Sequence, residues 1–433
     1  MTAGSSRADV AAATVATGLF AAAAAVGALL YLTGHPVQAS AAPLFARWSP
    51  HAGPGTPLAL GLAALLVWRG PHLAAVLSWR RLLICAYVSA VGWILSLALV
   101  DGWQRGLAGR LTTRPEYLHE VPGITDVPAM LRGFTGRILA FQPDSWTTHV
   151  AGHPPGALLV FVWLDRIGLG GGGAAAIACV LVGALTAAAV PETVRLLSGE
   201  TAARAAVPFA VLFPGAVWIG VSADGLFAGV TATAVALIAH GLTRRAPLSA
   251  PLGGALLAFG AYLSYGLVLL APLVLVAAVA ARRIGPLGWS AVGSAAVVIA
   301  FTAAGFNWLD GYHLVVRRYY QGLASHRPYL YWVWADLAIL AVSAGPAAAA
   351  ILRRATVTDG FPAHRLLPLA AAVGILAADL SGYSKAEVER IWLPFAIWFV
   401  AGAELLPVPA RRGWLAVQAA TALLINHLLF TVW

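Results

Sequence analysis

Charge is what this sequence has least of. Only 10% of its 433 residues are Asp, Glu, Lys or Arg, and 60% are hydrophobic. A soluble domain carries about 25% charged residues. So few polar side chains cannot cover a folded surface, so lipid must be part of the solvent. The mean hydropathy of +0.81 agrees. Cysteine is scarce too. Cys85 and Cys179 are the two present, and both sit in apolar blocks as small packing residues. A disulfide framework and a zinc-ligand spacing are thereby excluded. Lysine is scarcer still, with Lys385 alone among the arginines, a bias that reads as compositional. There is no internal repeat, and the glycine run at 170–173 matches no phosphate-loop spacing.

What is present is a succession of apolar blocks. A span needs about 20 apolar residues to cross roughly 30 Å of hydrocarbon. Blocks fall at 11–33, 57–76, 82–100, 173–190, 205–221, 224–242, 286–305, 332–350, 365–380, 391–407 and 413–432. Two more are irregular: 154–168 is short, and 251–281 is long enough for two short helices broken near Tyr265-Gly266. The pattern predicts an all-α polytopic transmembrane bundle of about 11–13 spans, forming one domain over 1–433. The first block is too long for a signal peptide and is kept as a span.

The net charge is +10, from 27 basic and 17 acidic residues. Most of the excess lies in short loops, which orients helices rather than binding nucleic acid. Arg80-Arg81, Arg244-Arg245, Arg282-Arg283, Arg353-Arg354 and Arg411-Arg412 are basic pairs assigned to the cytoplasm. That assignment needs 251–281 to enter and leave the membrane as a hairpin, and 154–168 to be a partial span. The other side then receives the long loop 101–152, Ser222-Ala223-Asp224, Tyr265, the loop 306–331 and the segment 381–390. Ionisable groups in or near a bilayer are costly and usually serve a purpose.

Asp101 follows the third block and faces the loop, where a carboxylate could act as general base. A solvated boundary residue is the plainer reading. The loop 101–152 predicts interfacial helices, as in VPAMLRGFTGRILAF, and holds Glu116, His119, Glu120, Asp126 and His149. His153 precedes Pro154-Pro155 at a predicted helix start. Glu387, Glu389 and Arg390 come just before the block at 391, and Arg317, Arg318, His326 and Arg327 lie among aromatics in 306–331. Arginine suits phosphate, although snorkelling at a span boundary accounts for such residues as well.

Taken in order, these segments resemble the GT-C superfamily of membrane glycosyltransferases. The resemblance runs from about 80 to 400 and rests on Asp101, the loop 101–152, His153-Pro154-Pro155, Ser222-Ala223-Asp224, and Glu389-Arg390 with Pro394. It departs at Gly102, where the family has a second acidic residue, which leaves Glu120 and Asp126 as rivals for the base. Spans within 1–80 are also extra to the pattern. The resemblance implies transfer of a sugar from a polyprenyl-phosphate donor to a glycan or glycolipid acceptor, on the outer face of the plasma membrane. It gives Asp101 as base and Arg390 as phosphate ligand, with His153, Asp224, Tyr265, Arg327 and Glu389 lining the substrate site. No cofactor or metal ligand is expected, and divalent-metal dependence stays open. The alanine- and arginine-rich composition resembles actinobacterial proteins, whose envelopes would supply mannose- or arabinose-like sugars. The alternatives are a transporter or flippase of lipid-linked substrates, and a non-catalytic envelope protein.

Overall fold

Backbone N–H and C=O groups cannot stay unpaired in hydrocarbon, which leaves helices as the economical solution for an apolar chain. The computed structural model, which describes residues 3–244 and 246–431, is helical in all its long elements. The chain opens with α1 (Ala3–Leu32), α2 (Thr56–Val76) and α3 (Trp79–Ala98). The polar stretch after α3 holds α4 (Val127–Gly133) and α5 (Thr148–Gly152) among short 3-10 turns. Then come α6 (Pro155–Arg166), α7 (Gly172–Gly183), α8 (Thr186–Ser198), α9 (Glu200–Val211), α10 (Ala216–Ile219) and α11 (Ala223–Thr243). The remainder is α12 (Ser249–Leu263), α13 (Ala271–Ala281), α14 (Gly285–Ala303), α15 (Trp308–Tyr319), α16 (Tyr329–Ser343), α17 (Pro346–Val357), α18 (Ala363–Ser381), α19 (Val388–Ile391), α20 (Leu393–Ala396) and α21 (Val408–Leu428).

The bundle is the one the sequence predicts, but the number of full-length spans is lower. Seven helices among the described residues are long and apolar enough to cross a membrane, or eight if the bent pair α16–α17 counts as one. The larger expected number includes helices that glycine and proline cut short. Gly345, at φ +84°, ends α16 before Pro346, and the two helices meet at 107°. The shorter apolar helices at 249–263, 265–281 and 393–405 account for most of the rest. Small residues let neighbouring helices close up. A Cβ on Gly229 of α11 would lie 1.8 Å from the Val182 carbonyl oxygen of α7, so only glycine fits there.

The basic loops gather at one end. Arg204 donates to the carbonyls of Ala74 and Leu77, the indole of Trp79 reaches Glu192 at 2.6 Å, and the His364 N–H donates to Ser198 at 2.9 Å. Arg283 donates to the Leu242 carbonyl at 3.1 Å, and Arg353 and Arg354 clasp Asp9 at 2.9 and 2.6 Å. Arg245 lies outside the described residues. Residues 251–281 do form a hairpin: Ala250 abuts Gly241 at the basic end, Trp308 meets the Ala261 carbonyl at the other, and the chain is back beside Leu242 by Arg283. α6 begins and ends at the opposite end, because Arg166 donates to the Thr125 carbonyl. At 12 residues it is too short for a full span.

A small sheet lies outside the helical reading. β1 (Ala46–Trp48), in the α1–α2 linker, pairs antiparallel with β2 (Leu429–Thr431), Arg47 facing Phe430. The block at 413–432 is therefore helix only to Leu428. The linker 33–55 forms a strap across the end opposite the basic pairs, tied by Trp332 to the Val37 carbonyl and by the His51 N–H to the His427 carbonyl.

Candidate active site

Two ionic clusters occupy the end opposite the basic pairs. The deeper one is built around Arg390. The sequence places it on α19, a one-turn helix just before the apolar segment 393–405, so its side chain lies in the bundle rather than in water. It is 5% exposed. One guanidinium nitrogen donates to Asp224 at 2.6 Å, in the first turn of α11, and another to Glu387 at 2.8 Å. His149 Nε2 lies 3.4 Å away, and its Nδ1 meets Glu116 at 2.9 Å. Arg327 donates to Glu387 at 2.9 Å and to the Lys385 carbonyl at 2.6 Å. The Lys385 ammonium donates to the carbonyls of Ala324 and Arg327. Three buried cations thus share one corner of the bundle, and their partners Asp224, His149 and Glu116 come from segments far away in the chain.

Burial is costly for each charge, and the partners decide which way it resolves. Burial would raise the Glu387 carboxyl, but Arg390 and Arg327 outweigh it and hold Glu387 below the usual range. Burial disfavours the Arg390 charge as well, yet Asp224, Glu387 and Glu116 keep its affinity for its proton above the ordinary. Glu389 goes the other way: burial pushes it up to about 7. It accepts the Phe45 N–H at 3.4 Å through one oxygen, and the other has no hydrogen-bond partner among the described residues.

His153 lies beside this cluster. It sits in the turn before Pro154, with α6 beginning at Pro155, one residue later than a start at Pro154 would give. Its ring packs edge-on against Tyr117 and beside Phe227. Burial pushes its imidazole down to about 4, so it is neutral at pH 7. Its Nδ1 lies 2.8 Å from the His149 carbonyl and must carry the ring proton, which leaves Nε2 as an acceptor. Such a group suits a hydroxyl donor better than a phosphate oxygen.

The second cluster is built around Asp101, where α3 ends in a 3-10 turn. Arg105 donates to it at 2.7 Å, and Arg110 stands 3.6 Å away. His51 Nε2 lies 3.3 Å from the same carboxylate, and its Nδ1 is 2.6 Å from the Ser49 carbonyl. That carbonyl fixes the tautomer: Nδ1 carries a proton, so Nε2 bears one only when the pair of His51 and Asp101 has taken up another. The strap joins the clusters. Phe45 lies under Arg327 and touches Glu389, while His51 touches Asp101. Six residues of backbone span at most about 20 Å.

The other predicted residues are elsewhere. Tyr265 packs on Trp308 and Tyr312 at the α12–α13 turn. Glu120 accepts the Thr147 N–H at 2.9 Å and pairs with Arg137 at 3.5 Å. Asp126 caps α4 by accepting the Ala129 N–H. No three His, Cys, Asp or Glu side chains among the described residues converge as a metal site. His51 escapes a reading by motif because only the strap's path brings it to Asp101. Lys385 carried a usable signal: the single lysine of a chain otherwise using arginine stands two residues before Glu387.

The chain is thus an all-helical integral membrane protein with buried ionic clusters at the end away from its basic pairs. No protein-family model matches it, and neither does any curated protein. It is similar to the solved structure of ArnT from Cupriavidus metallidurans in the apo state, at 19% identity and a TM-score of 0.45, over 73% of this chain and 59% of that one. It is also similar to ArnT from the same organism bound to undecaprenyl phosphate, at 18% identity and a TM-score of 0.46, over 75% of this chain and 61% of that one. The chain spans about three fifths of the length of these ArnT chains.

Proposed function

We propose that this chain is a membrane glycosyltransferase of the GT-C type, moving a sugar from a polyprenyl-phosphate donor to an acceptor at the extracytoplasmic face. One observation carries the reading: Arg390, Arg327 and Lys385 are buried together at the end opposite the basic pairs. The positive-inside rule makes that end extracytoplasmic. Buried cations at headgroup level suit a lipid phosphate, whose charge grows as it leaves.

Asp101 is the proposed base. It takes the proton of the acceptor hydroxyl as that oxygen attacks the anomeric carbon. The bond from that carbon to the phosphate oxygen breaks, and its electron pair leaves with the phosphate. The buried cations stabilise that charge. Arg105 and Arg110 hold the Asp101 carboxylate in place, and the lone pair on His51 Nε2 can share the proton Asp101 receives. Neutral His153 and Glu389, whose carboxyl is raised to about 7, would hold sugar hydroxyls. A transporter would place its charges near the bilayer midplane, whereas these lie at one end.

The test is transfer by the purified full chain from radiolabelled polyprenyl-phosphate sugars, mannose and arabinose donors first. Label in a glycan or glycolipid acceptor is the expected result. Donor bound or moved across vesicles, with no transfer from any sugar to any envelope acceptor, would favour the transporter.

A further inference from the structure

The end carrying the basic pairs holds a cavity of about 240 Å³ between the end of α11 and the starts of α12 and α14. Arg244, Arg283, Ala250, Pro286 and Trp289 are among its lining residues, and none of the lining residues is acidic. Local sequence builds it. Gly241 lets Ala250 approach closely, since a Cβ there would lie 2.9 Å from the Ala250 nitrogen. Arg282 ends α13 in the left-handed region at φ +52°, and Arg283 then donates to the Leu242 carbonyl at 3.1 Å. That carbonyl belongs to the last turn of α11, where backbone acceptors lack helical partners. Arg283 is thus held by one nitrogen at the cavity edge. Arg244, the residue capping α11, is exposed and makes no ion pair among the described residues.

The flanks are apolar and exposed. Leu252 is 54% exposed, Trp289 63% and Val292 56%. They lie beside the α12–α14 contact, where Gly254 meets Ser290 and Gly293 meets Pro251. Two guanidinium groups without a carboxylate, over an apolar wall and next to a tryptophan of interfacial type, match one ligand chemistry. We propose that this cavity binds the headgroup of an anionic phospholipid of the cytoplasmic leaflet. Its phosphate lies between Arg244 and Arg283, and its acyl chains run along Leu252 and Val292. Basic pockets between helices on this side of a membrane recognise such headgroups, and each arginine near the surface contributes roughly 1 kcal/mol, or about five-fold in affinity.

The experiment titrates the detergent-purified full chain with phosphatidylglycerol and with phosphatidylcholine, counting bound lipids by native mass spectrometry. The intact protein should retain phosphatidylglycerol in preference to phosphatidylcholine. The preference should fall about five-fold in Arg244→Gln or Arg283→Gln and vanish in the double variant. Arg80→Gln/Arg81→Gln, which removes a basic pair elsewhere, should keep it. Pro247→Glu adds a carboxylate to the cavity lining without removing an arginine, and should also abolish the preference. An intact protein that does not discriminate the lipids would overturn the site. So would a double variant or a Pro247→Glu protein that still discriminates, or equal loss on removing Arg80 and Arg81.

Discussion

Each end of the bundle buries an ion pair between distant parts of the chain, and the two differ in kind. At the basic end Asp9, 1% exposed, is clasped by Arg353 and Arg354. Only two segments meet there, and the result is mechanical: α1, whose surface is largely open to lipid, is pinned to α17. At the other end Arg390 joins Asp224, Glu387 and His149, with Glu116, Arg327 and Lys385 one contact further out. A buried pair alone is weak evidence of function, since desolvation offsets much of its attraction. What separates the two ends is convergence. A clamp needs one anion and its cations, while the Arg390 cluster assembles many groups, as the phosphate site proposed above would require.

The largest expected effects break both clusters. Arg390→Ala leaves Asp224 and Glu387 without their shared cation and should cost about 3–5 kcal/mol of stability, read from thermal unfolding in detergent. Asp9→Asn should also lower stability, because it removes the buried carboxylate charge that Arg353 and Arg354 both pair with. Transfer per folded molecule should vanish in the first and stay at the intact level in the second. Equal loss of transfer in both would mean that the clusters do the same structural work.

Next in size are the pH effects expected at the Arg390 end. Glu389 is raised to about 7 in the fold, so between its unfolded value near 4.5 and about 7 the folded state holds the extra proton. Its contribution to stability is full below that window and is lost as pH rises through it. Glu389→Gln should therefore gain stability relative to the intact protein from pH 4.5 to 7 and hold a constant advantage above. His153, lowered to about 4, has the opposite sign. Its contribution is full above about 6.5 and is lost as pH falls toward 4, a slope that His153→Asn should remove. Melting temperature against pH for the three proteins checks both.

The smallest effect lies at the rim. Arg105 is 49% exposed where it meets Asp101, and exposed pairs contribute about 0–1 kcal/mol. Arg105→Gln should change stability by less than about 1 kcal/mol and turnover by a few-fold, because Arg110 still stands 3.6 Å from the carboxylate. A larger loss, measured in the same transfer assay, would make Arg105 a substrate ligand.

How much of this was legible in the sequence varied by region, for physical reasons. The helices and the side carrying the basic pairs are composition and loop charge, and both read directly. Asp224, Arg327 and Arg390 stood out because arginine and aspartate at span boundaries are rare enough to notice. The tie between His51 and Asp101 was not readable, because it depends on a strap whose course is set by a three-residue strand pair with no alternating pattern. Fewer long helices than apolar blocks result because hydropathy does not register a break such as Gly345-Pro346, which keeps a block apolar while cutting its helix in two. Lys385 was set aside as composition, though its solitude beside Glu387 and Arg390 was the clue.

If the chain is the glycosyltransferase proposed, Asp101 and the Arg390 cluster serve one reaction, base at one side and phosphate site at the other. Asp101→Asn keeps the side chain's shape and removes the base. Turnover and donor binding measured on the same preparation of this variant test the claim most directly, with Arg390→Lys beside it. Asp101→Asn should lose about 10²–10⁴-fold in turnover while binding the polyprenyl-phosphate sugar as the intact protein does. Arg390→Lys should weaken that binding, because the two-pronged grip is lost. A folded Asp101→Asn protein with full turnover would contradict the account and move the base to Glu120 or Asp126.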